Sequence, residues 1–142
     1  MKLEILSFNG KLFKSHSVVS VTAMTTSGEI TVLDHHIPLI TTLKPSVLRV
    51  VHFDENNMSK EEDFAIWWGI LEVAHSSVKI LIDMLVTVSD LNLDIAEKAR
   101  ISALETMEKY KDSKDRVDME KFVEAEDQLL KSIAQLKLGN LK

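Results

Sequence analysis

Five histidines are the side chains of this 142-residue chain best suited to acid–base chemistry or metal binding, and His35 and His36 are adjacent. Adjacent residues of an extended segment point in different directions, and no carboxylate or third histidine has a spacing that would complete a metal site. His16, His52 and His75 are scattered along strand-like segments, where we expect structural or exposed roles. The histidines therefore predict no metal site.

No other group of residues has the pattern of an active site. Serines, histidines and aspartates occur without a G-x-S-x-G elbow, and four glycines provide neither a Walker loop nor a dinucleotide fingerprint. The adjacent Glu61 and Glu62 lie in the polar stretch 54–63, which we interpret as a solvated hairpin loop. Trp67 and Trp68 resemble a ligand platform, but alternation places one in the core and the other near an edge or interface. We expect a non-catalytic protein without a cofactor.

Composition favours a globular, soluble protein, and any membrane association would have to come through protein partners. The chain is 45% hydrophobic and 27% charged, and its formal net charge of −5 argues against a general nucleic-acid-binding role. Cysteine is absent, which excludes disulfides and thiol chemistry and fits a reducing compartment. The apolar run Ile80–Val86 is too short for a membrane span and contains Asp83. The N-terminus starts in a strand-like alternation, so we expect no signal peptide.

Residues 1–89 have the alternation of short antiparallel strands. Asn9–Gly10 is a strong hairpin signal, and Ser76–Ser77 is a second short turn. The other strand-like segments are rich in β-branched and aromatic residues: 18–25, 47–53, 64–68, 70–74 and 78–82. Many short strands separated by short turns indicate a sandwich or barrel, and we predict an N-terminal antiparallel β-sandwich.

Residues 90–142 have a helical period instead. Two apolar stripes recur at three- and four-residue steps, the first made of Ala96, Ala99, Ala103, Met107 and Tyr110, the second of Phe122, Ala125, Leu129, Ile133 and Leu136. Asp94 with Glu97 has the form of a capping box, Asp118 is a candidate cap for the second helix, and Gly139–Asn140 is a stop signal.

The two stripes predict a two-helix antiparallel hairpin joined by the charged break 111–116. Alanines on the first stripe let the helices approach closely. Small residues also bury little apolar area, at roughly 25 cal/mol per Å². We therefore expect the hairpin to be held weakly to the sandwich and to be able to detach.

The segment Gly28–Pro45 combines a turn, a strand, a bend and a second strand. Gly28 supplies the backbone freedom of a tight turn, and Pro38 removes a backbone donor, so a central strand cannot continue there. The bend carries His35 and His36 at its tip. Such a fixed bend is better suited to touching a partner than to hosting chemistry.

Parts of this segment, 28–30 (G-E-I), 36–39 (H-I-P-L) and 43–45 (L-K-P), resemble the G-E-L…H-x-P-L…L-x-P signature of the ε subunit of bacterial F-type ATP synthases. Downstream, 69–73 (G-I-L-E-V) and 78–83 (V-K-I-L-I-D) resemble the family's G-G-hydrophobic-L-E-V and V-T-V-L-A-D blocks. The similarity covers nearly the whole chain in the right order. Three positions differ from the family where glycines are usual: Thr31, Ser46 and Trp68.

The resemblance implies a non-catalytic central-stalk subunit. Its sandwich would bind the γ subunit and sit on the c-ring, coupling proton- or sodium-driven rotation to ATP synthesis. Its hairpin would fold on the sandwich or extend into the head of α and β subunits and obstruct ATP hydrolysis. The protein would be peripheral, on the cytoplasmic face of a bacterial inner membrane, and would reach the membrane only through partners. The alternative is a stand-alone β-sandwich adaptor whose hairpin binds another helical partner.

The resemblance also implies roles for individual residues. Glu29 and His36 match positions that face the c-ring. Residues matching segments near γ are Leu43, Lys44, Leu48, Val78, Ile80 and Ile82, although core burial explains each apolar one equally well. Cations near the end of the first helix could meet acidic loops of the catalytic subunits: Arg100, Lys109, Lys111, Lys114 and Arg116. Neighbouring carboxylates offset much of this charge.

Nucleotide binding is the one family property for which the motif is degenerate. Some bacterial members bind ATP through I/L-D-x-x-R-A, and the matching stretch keeps Leu93 and Asp94 but has Glu97 and Lys98 at the arginine and alanine positions. A carboxylate facing a triphosphate is repelled by about 1–4 kcal/mol per charge pair at 4 Å. Lys98 or Arg100 could compensate from an adjacent turn.

We therefore predict that the isolated chain does not bind ATP at sub-millimolar concentrations. Isothermal titration calorimetry and amide chemical shifts would measure this. Saturable changes below that range, abolished by Arg100→Ala, would contradict the prediction.

Overall fold

The computed structural model describes residues 1–7 and 10–141 of the chain. The strands are β1 (Lys2–Ser7), β2 (Gly10–Ser15), β3 (Val18–Thr25), β4 (Gly28–Leu33), β5 (Leu39–Leu43), β6 (Ser46–Phe53), β7 (Ser59–Ile66), β8 (Gly69–Ala74), β9 (Ser77–Ile82) and β10 (Leu85–Val86). A 3-10 turn (Val88–Asp90) precedes the helices α1 (Leu93–Tyr110) and α2 (Arg116–Asn140). Asn9 of the expected hairpin turn lies outside the described residues, whereas β1 and β2 on either side pair antiparallel.

The strands form a sandwich of two five-stranded halves. The hydrogen-bonded order is β10-β7-β6-β3-β5-β8-β9-β1-β2, with β4 on the free side of β3. β3 and β5 share only the pair Thr25–Leu43, so the path folds over at that point. The first half is β10-β7-β6-β3-β4 and the second is β5-β8-β9-β1-β2. Among the described residues, all strand pairs are antiparallel except β1 with β9, and the predicted β-sandwich is confirmed.

The core lies between the two halves and draws alternate residues from most of the strands. Val21 and Val50 from the first half share a buried cluster with Ile5, Leu71 and Ile80 from the second. This two-residue period is what allows a strand to bury one face and expose the other. The core therefore dictates which side chains of each strand remain available outside.

The polar stretch 54–63 is not the loop that the sequence predicts, because β7 begins at Ser59. The turn is only Asp54–Met58, and the Asp54 carboxylate accepts the backbone N–H of Asn56 at 2.9 Å and of Met58 at 3.0 Å. The hydrogen bond from Met58, ahead of smaller contributions from Lys60 and Asn56, lowers the pKa of the Asp54 carboxyl.

The acidic residues of β7 are compatible with a strand because Arg49 and His52 of β6 lie close to them. Arg49 Nε lies 3.2 Å from Glu61 and 3.0 Å from Asp63. His52 Nε2 lies 3.0 Å from Glu62. Cross-strand pairs of opposite charge stabilise a sheet, and hydropathy along one strand gives no sign of them.

Helix caps also differ from the prediction by a few residues. Asn92 caps α1 and accepts the Ile95 N–H at 3.1 Å, and Asp115 caps α2 and accepts the Val117 N–H at 2.9 Å. A cap residue has extended backbone directly before the first helical residue, whereas Asp94 and Asp118 already lie inside the helices. The predicted caps at these two aspartates are therefore wrong.

α2 packs against two neighbours, and this divides its apolar residues between two faces. Ala125 lines the groove shared with Ala103 of α1. Ala134 and Leu138 are buried against Ala65 of β7, with Val47, Val86 and Leu91 around them. Ile133, placed on the single predicted stripe, is instead exposed. A helix between a second helix and a sheet cannot be described by one stripe.

Candidate partner-binding surfaces

The outer faces of the two halves differ in what covers them. On the first half, α2 packs against β6 and β7. On the second half, large apolar side chains point outward and stay exposed: Ile40 at 73%, Ile70 at 47% and Leu81 at 45%. Exposed apolar residues are ordinary when scattered, but neighbouring ones indicate an interaction surface.

Strand register places these side chains in two adjacent rows. Leu81 lies between Leu6 of β1 and Ile70 of β8, and Ile70 lies opposite Thr42 of β5. We call this line of side chains the apolar row. The neighbouring row runs across the same four strands and is mostly charged: Glu4, Lys79, Glu72 and Ile40. Together the rows form a flat surface with apolar and charged stripes side by side.

The strand register contradicts most of the γ contacts expected from the sequence. The five apolar ones have between 0% and 1% of their surface exposed, namely Leu43, Leu48, Val78, Ile80 and Ile82. A side chain without exposed surface cannot contact a second protein, so these five assignments are wrong. Lys44 is half-buried and still reaches the surface.

A signal for the correct choice was present in the sequence. Lys79 and Glu72 share the outward positions of β9 and β8 with Leu81 and Ile70. Charged residues are almost never fully buried without a partner. The set of alternate positions that contains them therefore faces outward, and Val78 and Ile80 must face the core.

The structure does not bring Glu29 and His36 together. Glu29 is exposed at the start of β4 and shares a shallow hollow with Arg49, Lys137 and Leu141. His36 follows the other end of β4, where its backbone N–H donates to the Leu33 carbonyl at 3.2 Å. Four residues of strand, from Glu29 to Leu33, span roughly 13 Å. A partner that touches both must extend along the whole of β4.

Most of the five tail cations gather around the turn between the helices. Lys111 Nζ lies 2.8 Å from Glu108, and this contact raises the pKa of Lys111. Arg116 Nε lies 3.6 Å from Glu120. Lys109 lies over the ring of its neighbour Tyr110, and Lys114 is exposed.

Arg100 is separate from this group. It lies nine residues before Lys109 on α1, roughly 14 Å along the helix. Its guanidinium donates to Glu97 through Nη2 at 2.5 Å and Nε at 3.2 Å. The hydrogen bond from Arg100 lowers the pKa of Glu97. At the degenerate nucleotide motif, Leu93, Asp94 and Lys98 are all exposed on the first two turns of α1.

A junction between the sandwich and the hairpin was not anticipated. Trp67 and Trp68 connect β7 to β8, and both contact α2. The Trp68 indole N–H donates to the Asp127 carboxylate, and the Lys131 ammonium lies 4.2 Å from the centre of the Trp67 ring. The partners lie about sixty residues apart in the chain, beyond the reach of any local sequence pattern. Neither helix described is long and apolar enough to span a bilayer.

Comparison with known proteins shows which family this architecture belongs to. The family model described as ATP synthase, Delta/Epsilon chain, beta-sandwich domain matches residues 1–88. An ATP synthase epsilon chain from Hydrogenovibrio crunogenus is 38% identical over 107 residues, which cover 75% of this chain and 70% of the relative. An ATP synthase epsilon chain from Staphylococcus aureus is 28% identical over 137 residues, covering 96% of this chain and 98% of the relative.

A solved structure supports the fold over both parts of the chain. A chain in the cryo-EM structure of the Euglena gracilis mitochondrial ATP synthase, with OSCP, F1 and c-ring in rotational state 1, matches with a TM-score of 0.77 and 21% identity. The match covers 95% of this chain and 78% of that chain. With the family model covering more than half of the sequence, the chain belongs to the ATP synthase delta/epsilon chain family, as an epsilon subunit of the F-type enzyme.

Proposed function

We propose that the chain is the non-catalytic central-stalk subunit that couples rotation of a c-ring to ATP synthesis through contacts with γ. The observation that carries this proposal is the apolar row on the half of the sandwich opposite the hairpin. Leu81 and Ile70 are about half exposed there, whereas the outer face of β6 and β7 is occupied by α2. A γ subunit would find a surface on the second half that the chain leaves open.

In such an interface the apolar row would contribute affinity, and the charged row would contribute specificity. Completing the burial of Leu81 and Ile70 is worth on the order of 1 kcal/mol each, half the value for a fully buried aliphatic side chain. The charges alternate in sign across the strands, from Glu4 through Lys79 to Glu72. Such a pattern favours a partner with the complementary sequence of charges and fixes register more than affinity.

We expect Leu81→Glu to weaken binding of γ at least tenfold, because a carboxylate would be buried in the apolar row. The thermal midpoint should change by only a few degrees, since the side chain lies outside the core. Titration of the purified γ subunit against each variant measures the affinity. Leu33→Glu is the matched control, as Leu33 is 55% exposed on β4 of the other half. Equal losses in both variants would contradict the assignment of this face to γ.

Glu29 and His36 are proposed to contact the c-ring from the two ends of β4. Both side chains reach the surface, and the Gly28 turn and the Pro38 bend hold the segment in a fixed shape. Membrane association follows through the ring and γ, on the cytoplasmic face of a bacterial inner membrane. The coupling ion would be set by the ring, whether proton or sodium.

Glu29→Lys and His36→Asp should each lower ATP-driven ion pumping in inverted membrane vesicles relative to ATP hydrolysis, without lowering the thermal midpoint of the isolated chain. Their effects should add, because sites more than about 10 Å apart act independently. A fall of many degrees in the midpoint would assign the residue to the fold. Unchanged coupling in the double variant would contradict the proposed contact with the c-ring.

The hairpin is proposed to obstruct ATP hydrolysis when it leaves the sandwich and meets α and β subunits. Its docking site is small, built around Ala65, Ala134 and Leu138. Its far end presents the cluster of cations around the interhelix turn. Two of these, Lys111 and Arg116, already have nearby carboxylate partners, which supports weak to moderate inhibition.

Deleting residues 90–142 should raise the ATPase activity of the assembled enzyme without abolishing synthesis. Lys114→Glu in the intact chain should reproduce part of the rise, because it reverses an exposed charge at the turn. Lys98→Glu makes the same change on α1, far from the turn, and should leave hydrolysis unchanged. If hydrolysis stays constant in the deletion under every nucleotide condition, the hairpin has no inhibitory role.

A further inference from the structure

The junction between α2 and the sandwich contains a compact polar cluster in addition to the apolar cluster around Ala65, Ala134 and Leu138. Asp127 and Lys131 are one turn apart on α2, with Lys131 Nζ 2.9 Å from Asp127 Oδ2. Asp127 also accepts the indole N–H of Trp68. Lys131 lies over the face of Trp67. Both tryptophans of the chain are thus in contact with one pair of charges.

Burial makes these charges more than an ordinary surface ion pair. The Lys131 side chain is 12% exposed and the Asp127 side chain 30% exposed. A lysine stem packed against an indole contributes apolar contact, and its ammonium gains a cation–π interaction that strengthens as water is removed. A buried ammonium that loses its carboxylate has no such compensation. The two contacts to the sandwich and the ion pair between them therefore support each other.

We propose that Trp67, Trp68, Asp127 and Lys131 form a clasp that sets how firmly the hairpin is docked. Around it, the docked interface has a small apolar cluster in which only Ala65, Ala134 and Leu138 are fully buried among the described residues. The clasp fixes where α2 docks on the sandwich. The Trp68 N–H must reach Asp127 while the Trp67 ring lies against Lys131, and both contacts form at one position of α2. It concerns how the hairpin is held and stands whether or not the hairpin acts on a catalytic head.

The clasp depends on the residue at position 68. Trp68 is one of the three positions at which it departs from the glycines usual in the family pattern. A glycine there could offer neither an indole donor nor a ring. The strength of docking then depends on the side chain at this position and not on the backbone fold alone.

Fluorescence energy transfer in the full-length protein tests the clasp directly. The chain has no cysteine, so dyes attach only at introduced sites, Glu55→Cys in the β6–β7 turn and Asp112→Cys in the interhelix turn. The turn lies at the N-terminal end of α2, whose 25 residues span roughly 38 Å, so detachment changes the distance between the dyes. The undocked fraction is measured for each clasp variant in this labelled background.

Asp127→Ala and Lys131→Met should each raise the undocked fraction roughly three- to tenfold, as loss of a charge-assisted contact at a partly exposed site predicts. The double variant should resemble either single one, because both remove the same unit. Trp68→Phe, which keeps a ring but removes the N–H, should give a smaller rise. In Asp127→Ala and Lys131→Met, acrylamide should quench the two tryptophans more strongly.

The matched control separates docking from helix stability. Arg116→Met breaks another i, i+4 ion pair on α2, with Glu120, but at the end of the helix away from the clasp. It should leave the undocked fraction unchanged. An equal rise in Arg116→Met and Lys131→Met would show that only helix stability matters and would overturn the clasp. No change in either clasp variant would overturn it as well.

Discussion

The sandwich core constrains everything else in this molecule, because it takes alternate residues from most of the strands. On β9 it takes Val78, Ile80 and Ile82, which leaves Lys79 and Leu81 outside. The apolar row therefore exists as the complement of the core. Any partner that approaches the second half of the sandwich meets the outward set of residues, whatever segments of the chain the family pattern associates with that partner.

The hairpin meets a different constraint, since α2 must fit both α1 and the first half of the sandwich. Small residues allow close approach on both sides of α2. Ala103 and Ala125 line the groove between the helices, and Ala134 of α2 is buried with Ala65 of β7. Small residues contribute little burial, so polar contacts at Trp67 and Trp68 gain weight. The two halves of the sandwich thus have distinct outer faces: α2 packs on the first, and the apolar row of the second is exposed.

Local patterns in the sequence identified the classes of structure but not the contacts between them. The period of two and the change to a helical period from residue 90 were sufficient for a sandwich followed by a helical hairpin. The choice between inward and outward residues was not made correctly for Val78, Ile80 and Ile82, although Lys79 and Glu72 indicated it. The stretch predicted as a loop is part of β7, where contacts such as Glu62 with His52 place its acidic residues against β6. The sequence of one strand does not show which residues of the neighbouring strand lie beside it.

Contacts between distant segments were beyond sequence reasoning altogether. Nothing near Asp127 in the chain indicates Trp68, and nothing near Lys137 indicates that the helix end shares a hollow with Glu29. The caps at Asn92 and Asp115 required the backbone geometry at the helix starts. These features decide how the hairpin is held, so the docking of the hairpin was the least predictable part of the structure.

The central claim is that the apolar row is the surface that binds the rotor shaft. A cryo-EM structure of the assembled synthase containing this chain tests it most directly. The account predicts that Leu81 and Ile70 lie within van der Waals contact of γ and lose their exposed surface, while Val78 and Ile80 stay in the sandwich core. A structure in which the apolar row faces solvent and γ binds the first half of the sandwich would contradict it.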